Sequence, residues 1–247
     1  MTSYENQTVG QIAAEKPATV RVFEKLRIDY CCGGKLPLNQ ACERAGIPVA
    51  EAVSLLNELD ARSSGCGARN WKEASASELI AHITGTHHAF VRQEIPRLEA
   101  LLGKVKTRHG AAHPEVAEIE LLFLAAAQEL QSHLLREEQV LFPYIEQLER
   151  AAQCGAEPPR GCFPSVEFPI ARMLADHDDA GELFARMSAL SNRYTPPEQS
   201  CMSFTALYRG LSDFELDLHE HIHLENNILF PNAIALEREL AGVRKAT

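Results

Sequence analysis

The sequence predicts an all-α protein, an up-down-up-down four-helix bundle preceded by a small helical N-terminal domain. Three observations carry that prediction. Val, Ile and Thr never gather into alternating runs bounded by turn residues, so strands find no support. Long stretches rich in Ala, Leu and Glu repeat apolar residues at spacings of three and four, the period of one helix face. The pattern His-x-x-x-Glu-x-x-x-Leu-Phe-Pro is written twice, as HLLREEQVLFP at residues 133–143 and HIHLENNILFP at residues 221–231, as if a whole helical hairpin were duplicated.

Residues 1–62 form the N-terminal domain. TVGQIAAEKPATVRVFEKL reads as short helices, DYCCGGK as a turn, and NQACERAG and PVAEAVSLLNELDA as two further helices. SSGCGARN has small and polar residues without periodicity, which sets a linker at 63–72 and the bundle at 73–247. Four long helical patterns follow at about 75–105, 114–150, 166–193 and 200–240, bounded by Pro- or Gly-bearing joints. Those joints are RHGAAHP, the longer CGAEPPRGCFPS, and NRYTPPEQS. Short joints between antiparallel neighbours give the up-down-up-down order. Pro96 is expected to kink the first long helix, and each Leu-Phe-Pro to close a bundle end with Pro bending or interrupting the helix.

Composition narrows the function classes. With 24 Lys+Arg against 34 Asp+Glu, the net charge of -10 argues against nucleic acid or an anionic membrane as a partner. The first residues lack the basic and apolar regions of a secretion signal, and no apolar run is long enough to span a bilayer, so a cytoplasmic location is expected. Seven cysteines without a framework spacing or a C-x-x-C pair read as reduced thiols.

The chemistry sits on the repeated motif. At 100° per residue, His133 shares a face with Ile119, Leu122, Ala126, Leu130, Glu137 and Val140, and His221 shares one with Leu207, Leu211, Phe214, Leu218, Glu225 and Ile228. A carboxylate among leucines is costly unless its charge is matched, and here the same cost occurs twice. His and Glu four residues apart stand one above the other, as two ligands of one ion must. The partner helices add His88, on a stripe with Ile80, Val91, Ile95 and Leu98, and His177, with Ile170, Met173, Leu174 and Phe184. Four His and two Glu exceed what tetrahedral zinc takes and suit iron or manganese, so a non-haem di-iron centre with two Fe per chain is expected. A single His on an apolar face is more often a satisfied core group; the coordinated set is what points to metal. His82, His87, His219 and His223 read as surface or supporting groups, with His219 and His223 on the solvent side. His109 and His113 read as inert joint residues, and Glu138 as solvated.

With these residues in place the chain resembles the hemerythrin-like superfamily, and more closely the RIC (repair of iron centres) proteins, the YtfE, ScdA or DnrN group. DYCCGGK at residues 29–35, the motif pair and DHDDAGEL around His177 carry the resemblance. It implies terminal ligands His88, His133, His177 and His221 with Glu137 and Glu225 bridging the irons. Oxygen-carrying hemerythrins place another His one turn after the third-helix ligand; here that position is Gly181, which implies a more open or labile iron site. The implied function is repair of iron-sulfur clusters damaged by nitric oxide or oxidants, by supplying iron, in the cytoplasm and as a homodimer. Its partners would be damaged iron-sulfur proteins, with nitric oxide a candidate ligand, and it would not be a conventional enzyme. The competing functions are a nitric-oxide-binding or detoxifying di-iron protein and an oxygen or iron store. Cys31 and Cys32 stand as a redox pair, a nitrosothiol site or a soft ligand receiving iron, against plain packing at a turn.

Overall fold

The computed structural model describes Tyr4, residues 7–62 and residues 69–246, with the side chains of 60–62 and 243–246 left aside. Most of the expected linker, with Cys66, lies outside the described residues. The chain is all-α, with eleven α-helices among the described residues. They are α1 Val9–Glu15, α2 Val20–Leu26, α3 Leu38–Ala45, α4 Val49–Arg62, α5 Ala76–Ile83, α6 Ala89–His109, α7 Glu115–Arg136, α8 Phe142–Cys154, α9 Glu167–Leu190, α10 Met202–Leu224 and α11 Phe230–Ala246. No helix among the described residues is long and apolar enough to cross a membrane.

The short N-terminal helices begin and end where local chemistry dictates. Thr8 Oγ1 accepts from Gln11 N–H and the Gln11 side chain accepts from Thr8 N–H, a reciprocal cap on α1. Arg27 (φ 57°) and Gly46 (φ 69°) stop α2 and α3 in the left-handed conformation, which Gly46 adopts without a Cβ penalty. Val9, Ile12, Phe23, Tyr30, Leu38, Cys42 and Leu56 pack into one buried cluster.

Packing divides the chain into two compact units: Met1–Ala81 with Ile145–Val166 and His219–Thr247, and His82–Tyr144 with Glu167–Leu218. In the second unit α7 packs on α6 and α9. The Phe214 ring meets Phe90, Phe123 and Phe184 at centroid distances of 5.9, 5.8 and 5.3 Å, joining all four helices of an antiparallel bundle. Ile119, Leu130, Leu207, Phe214 and Leu218, forecast to share the ligand faces, are buried.

Three π-helical turns interrupt these helices, at Thr84–His88, Glu137–Leu141 and Glu225–Leu229. They correct one expectation. Val140 is 40% exposed and Leu141 is buried instead, because the wider turn falls behind a constant 100° phase. Pro143 and Pro231 lie where the helices are interrupted, as expected, and the helices run on as α8 and α11. Each Pro directly follows an i→i+5 bond, Phe142 N–H to Glu137 O or Phe230 N–H to Glu225 O. A widened turn is where a missing N–H and a bulky ring cost least. Pro96 likewise sits inside α6 without ending it.

Candidate metal centre

In the second unit three helices aim imidazoles at one carboxylate. Glu137, at the first position of its π turn, and His88, at the last position of its own, are both fully buried. Glu137 Oε2 is 3.4 Å from His88 Nε2, and its Oε1 is 3.2 Å from His133 Nε2, one α-turn earlier. His177 from α9 brings its Nε2 to 3.1 Å from His133 Nε2. His133, Glu137 and His177 therefore each offer a ligand atom within 4.8 Å of the others.

A charged outer layer sets which nitrogen of each ring faces inward. His88 Nδ1 donates to Glu138 Oε1 at 2.7 Å, and Arg92 bonds both oxygens of Glu138 at 2.8 Å. Burial would raise the Glu138 carboxyl, but the bonds from His88 and Arg92 outweigh it and hold the group below the usual carboxylate range. His133 Nδ1 points to Asp176 Oδ2 at 3.4 Å, and Asp176 is held by Arg136 at 2.6 Å and Arg172 at 2.9 Å. Proton donation through Nδ1 leaves the Nε2 lone pair of both rings toward Glu137, the carboxylate-histidine arrangement that orients metal ligands. The forecast of a solvated Glu138 is overturned by this bond. Asp176 opens the DHDDAGEL stretch around His177, but its role behind His133 is not read from the sequence.

The first unit holds the other half of the repeat. His221 and Glu225 are buried, with His221 Nε2 3.0 Å from Glu225 Oε1 across one α-turn. His223, expected on the solvent side, is buried, because α10 turns this face toward the Cys-bearing segment. Its Nδ1 accepts from Asn227 Nδ2 at 3.0 Å, and burial pushes its pKa down to about 4 against the opposing contact with the Tyr30 backbone. Asn227 also donates to Tyr30 O at 3.1 Å and Cys31 O at 3.4 Å. Cys31 Sγ and Cys32 Sγ are 4.0 Å apart without a disulfide between them, and Cys31 Sγ is 3.3 Å from Asp29 Oδ1.

The remaining histidines have other partners. His87 is buried against Asp217 at 3.0 Å, His82 meets Thr86 at 3.2 Å, and His219 meets Glu24 at 2.9 Å. His109 and His113 are more engaged than joint residues need be, with His109 Nε2 3.1 Å from Cys201 Sγ and both rings against Phe204.

The donor set fits iron on chemical grounds. It combines carboxylate oxygen and neutral imidazole nitrogen without sulfur, which suits iron or manganese. The nearby arginines Arg92 and Arg136 are engaged with Glu138 and Asp176, so a cation bound at Nε2 and carboxylate oxygen is the natural counter-charge to buried Glu137. These buried His and Glu groups are able to hold a di-iron centre.

Comparison with known proteins agrees with this chemistry. Residues 79–233 match the family described as hemerythrin HHE cation binding domain, and residues 5–60 match ScdA_N, a domain of unknown function (DUF542). The iron-sulfur cluster repair protein YtfE of Pectobacterium atrosepticum is 34% identical, over 94% of this chain and 98% of its own length. The probable iron-sulfur cluster repair protein of Haemophilus influenzae is also 34% identical over the same shares. YtfE of Escherichia coli O157:H7 is 35% identical over 95% of this chain and all of its own length. From its ScdA_N segment, its hemerythrin domain and these near full-length relatives, the chain belongs to the hemerythrin HHE cation-binding family, in the branch whose members are called iron-sulfur cluster repair proteins.

Proposed function

We propose that this protein repairs damaged iron-sulfur clusters by supplying iron from a di-iron centre held by His88, His133, Glu137, His177, His221 and Glu225. Its name-bearing relatives support the repair role. The observation that carries the metal assignment is the convergence of His88, His133 and His177 on buried Glu137, with carboxylates behind His88 and His133 turning Nε2 inward. His221 and Glu225 repeat the same His-to-Glu turn and complete the six ligands. When bound, the irons supply exchangeable Fe for a client cluster.

The residues divide the work. Glu137 and Glu225 would help to hold the two ions, supplying negative charge that neutral imidazoles cannot. Glu138 and Asp176 keep His88 and His133 in one tautomer and one orientation, so that ligation needs no reorganisation. Position 181, one turn after His177, is glycine and offers no ligand, which leaves this side of the centre open for release of iron. The same open position favours nitric oxide as a ligand, and a nitric-oxide-binding or detoxifying role is the second reading. Cys31 and Cys32 serve as redox or iron-transfer groups. The domain limits 1–62 and 73–247, a cytoplasmic location and a homodimeric state belong to this proposal.

The test mixes the iron-loaded protein with a cluster enzyme inactivated by nitric oxide and follows recovery of that enzyme's activity. Recovery that requires iron loading supports repair. Equal recovery with metal-free protein refutes iron supply, and consumption of nitric oxide without recovery favours the second reading.

A further inference from the structure

We infer that Asp29, Cys31 and Cys32 form a second metal site, taking one divalent cation of borderline softness such as iron(II). The three side chains each place a ligand atom within 4.8 Å of the others. Two metal-sulfur bonds of about 2.3 Å at a tetrahedral angle span about 3.8 Å. Cys31 Sγ and Cys32 Sγ are 4.0 Å apart. One such bond and a metal-oxygen bond of about 2.1 Å span about 3.6 Å. Cys31 Sγ and Asp29 Oδ1 are 3.3 Å apart. Two of the three donor-donor distances therefore lie within a few tenths of an ångström of tetrahedral spacing, and the third is within 4.8 Å.

The loop is built to hold that spacing. Asp29 Oδ1 accepts from Cys31 N–H at 3.1 Å and Oδ2 from Gly33 N–H at 2.9 Å, so the carboxylate is fixed by the backbone it would help to ligate. Asn227 grips the carbonyls of Tyr30 and Cys31. A Cβ at either Gly10 or Gly34 would collide with Asn227 Oδ1, so both glycines let the grip close. Cys31 is buried while Asp29 is exposed and Cys32 half-buried, which gives an ion a route from water to an anchored sulfur.

The proton balance is explicit. Neither Cys31 nor Cys32 is in a disulfide, so both enter as thiols. Binding exchanges two S–H bonds for two metal-sulfur bonds and releases two protons, with no change of oxidation state. This site deepens the transfer role proposed for Cys31 and Cys32, and its test reads binding alone, so it stands or falls apart from repair.

The experiment titrates the full-length, iron-loaded, reduced protein with cobalt(II) under inert gas. One further equivalent should bind, with a thiolate-to-cobalt charge-transfer band and two protons taken up by an indicator dye. Cys31→Ser with Cys32→Ser should abolish the band while iron content and helicity hold. Asp29→Asn and Asn227→Ala should each weaken binding by about 10- to 100-fold. Absence of the band in the parent, its survival in the double Ser variant, or unchanged affinity in Asp29→Asn each overturns the site.

Discussion

Glu138→Gln tests whether the outer carboxylates tune the metal ligands. Glu138 accepts from His88 Nδ1 at 2.7 Å, a short charge-assisted bond, and Arg92 clamps both of its oxygens. The amide keeps the shape but removes the charge that makes His88 a stronger donor at Nε2. Loss of such a partner weakens metal binding by about 10- to 100-fold, or about 1.4 to 2.7 kcal/mol. Asp176 supplies the internal comparison. Its contact to His133 Nδ1 is 3.4 Å, whereas its bonds to Arg136 and Arg172 are 2.6 and 2.9 Å, so Asp176→Asn should spend more of its effect on the metal-free fold than on iron. Chelator competition gives iron affinity, and urea melting of the metal-free proteins gives stability. Glu138→Gln should lose more affinity than Asp176→Asn and less stability. The reverse order, or Glu138→Gln within twofold of the parent in affinity, would refute the reasoning.

Ala at His88, His133, His177 or His221 should each lower iron content, whereas His82→Ala, whose ring meets Thr86, should retain it; metal analysis of the purified set decides. Glu137→Leu and Glu225→Leu remove carboxylates buried to 0% exposure, so both should melt as high as or higher than the metal-free parent and lower than the iron-loaded one. Higher melting than the loaded parent with unchanged iron would falsify the di-iron assignment. Gly10→Ala should destabilise by about 1 to 3 kcal/mol through its collision with Asn227. Asn227→Ala should return part of that loss in the double variant, and strict additivity in urea melting would show that the two do not press on each other.

Much of this protein is legible in its sequence because the proposed metal ligands obey helical spacing. His133 and Glu137, like His221 and Glu225, are four apart on continuous α-helix, and a buried carboxylate repeated at one place in two hairpins demands a counter-charge. The outer layer was harder to read, for a physical reason. Glu138 is turned about 100° from Glu137 and looks solvated on its own helix, but the face it occupies is covered by His88 and Arg92 of another. The same holds for His223, whose neighbours Tyr30 and Asn227 meet only once the Cys-bearing loop is folded. Helical phase tells which side a residue takes and is silent on what packs there.

The π turns explain why the motif extends past its ligands to Leu-Phe-Pro. A regular helix would carry the phase of His133 and Glu137 on to Val140, and the structure buries Leu141 and Phe142 instead. A turn closed by an i→i+5 bond holds one more residue than the α pattern, so the apolar stripe is re-aimed immediately after the ligand. Glu137 and Glu225 each supply the carbonyl for such a bond, and each is therefore both a candidate ligand and the start of the distortion. Pro143 and Pro231 stand two residues beyond the end of each turn, where they withhold the N–H that would favour the regular α ladder. A third π turn ends on His88 in a helix without the Leu-Phe-Pro signature, so proline is one means of placing the turn and not its requirement. What recurs at His88, Glu137 and Glu225 is a ligand set at the edge of a widened turn. Such turns cost regular hydrogen bonding and recur at functional sites, and the placing of three of them at proposed ligands supports the proposed metal centre.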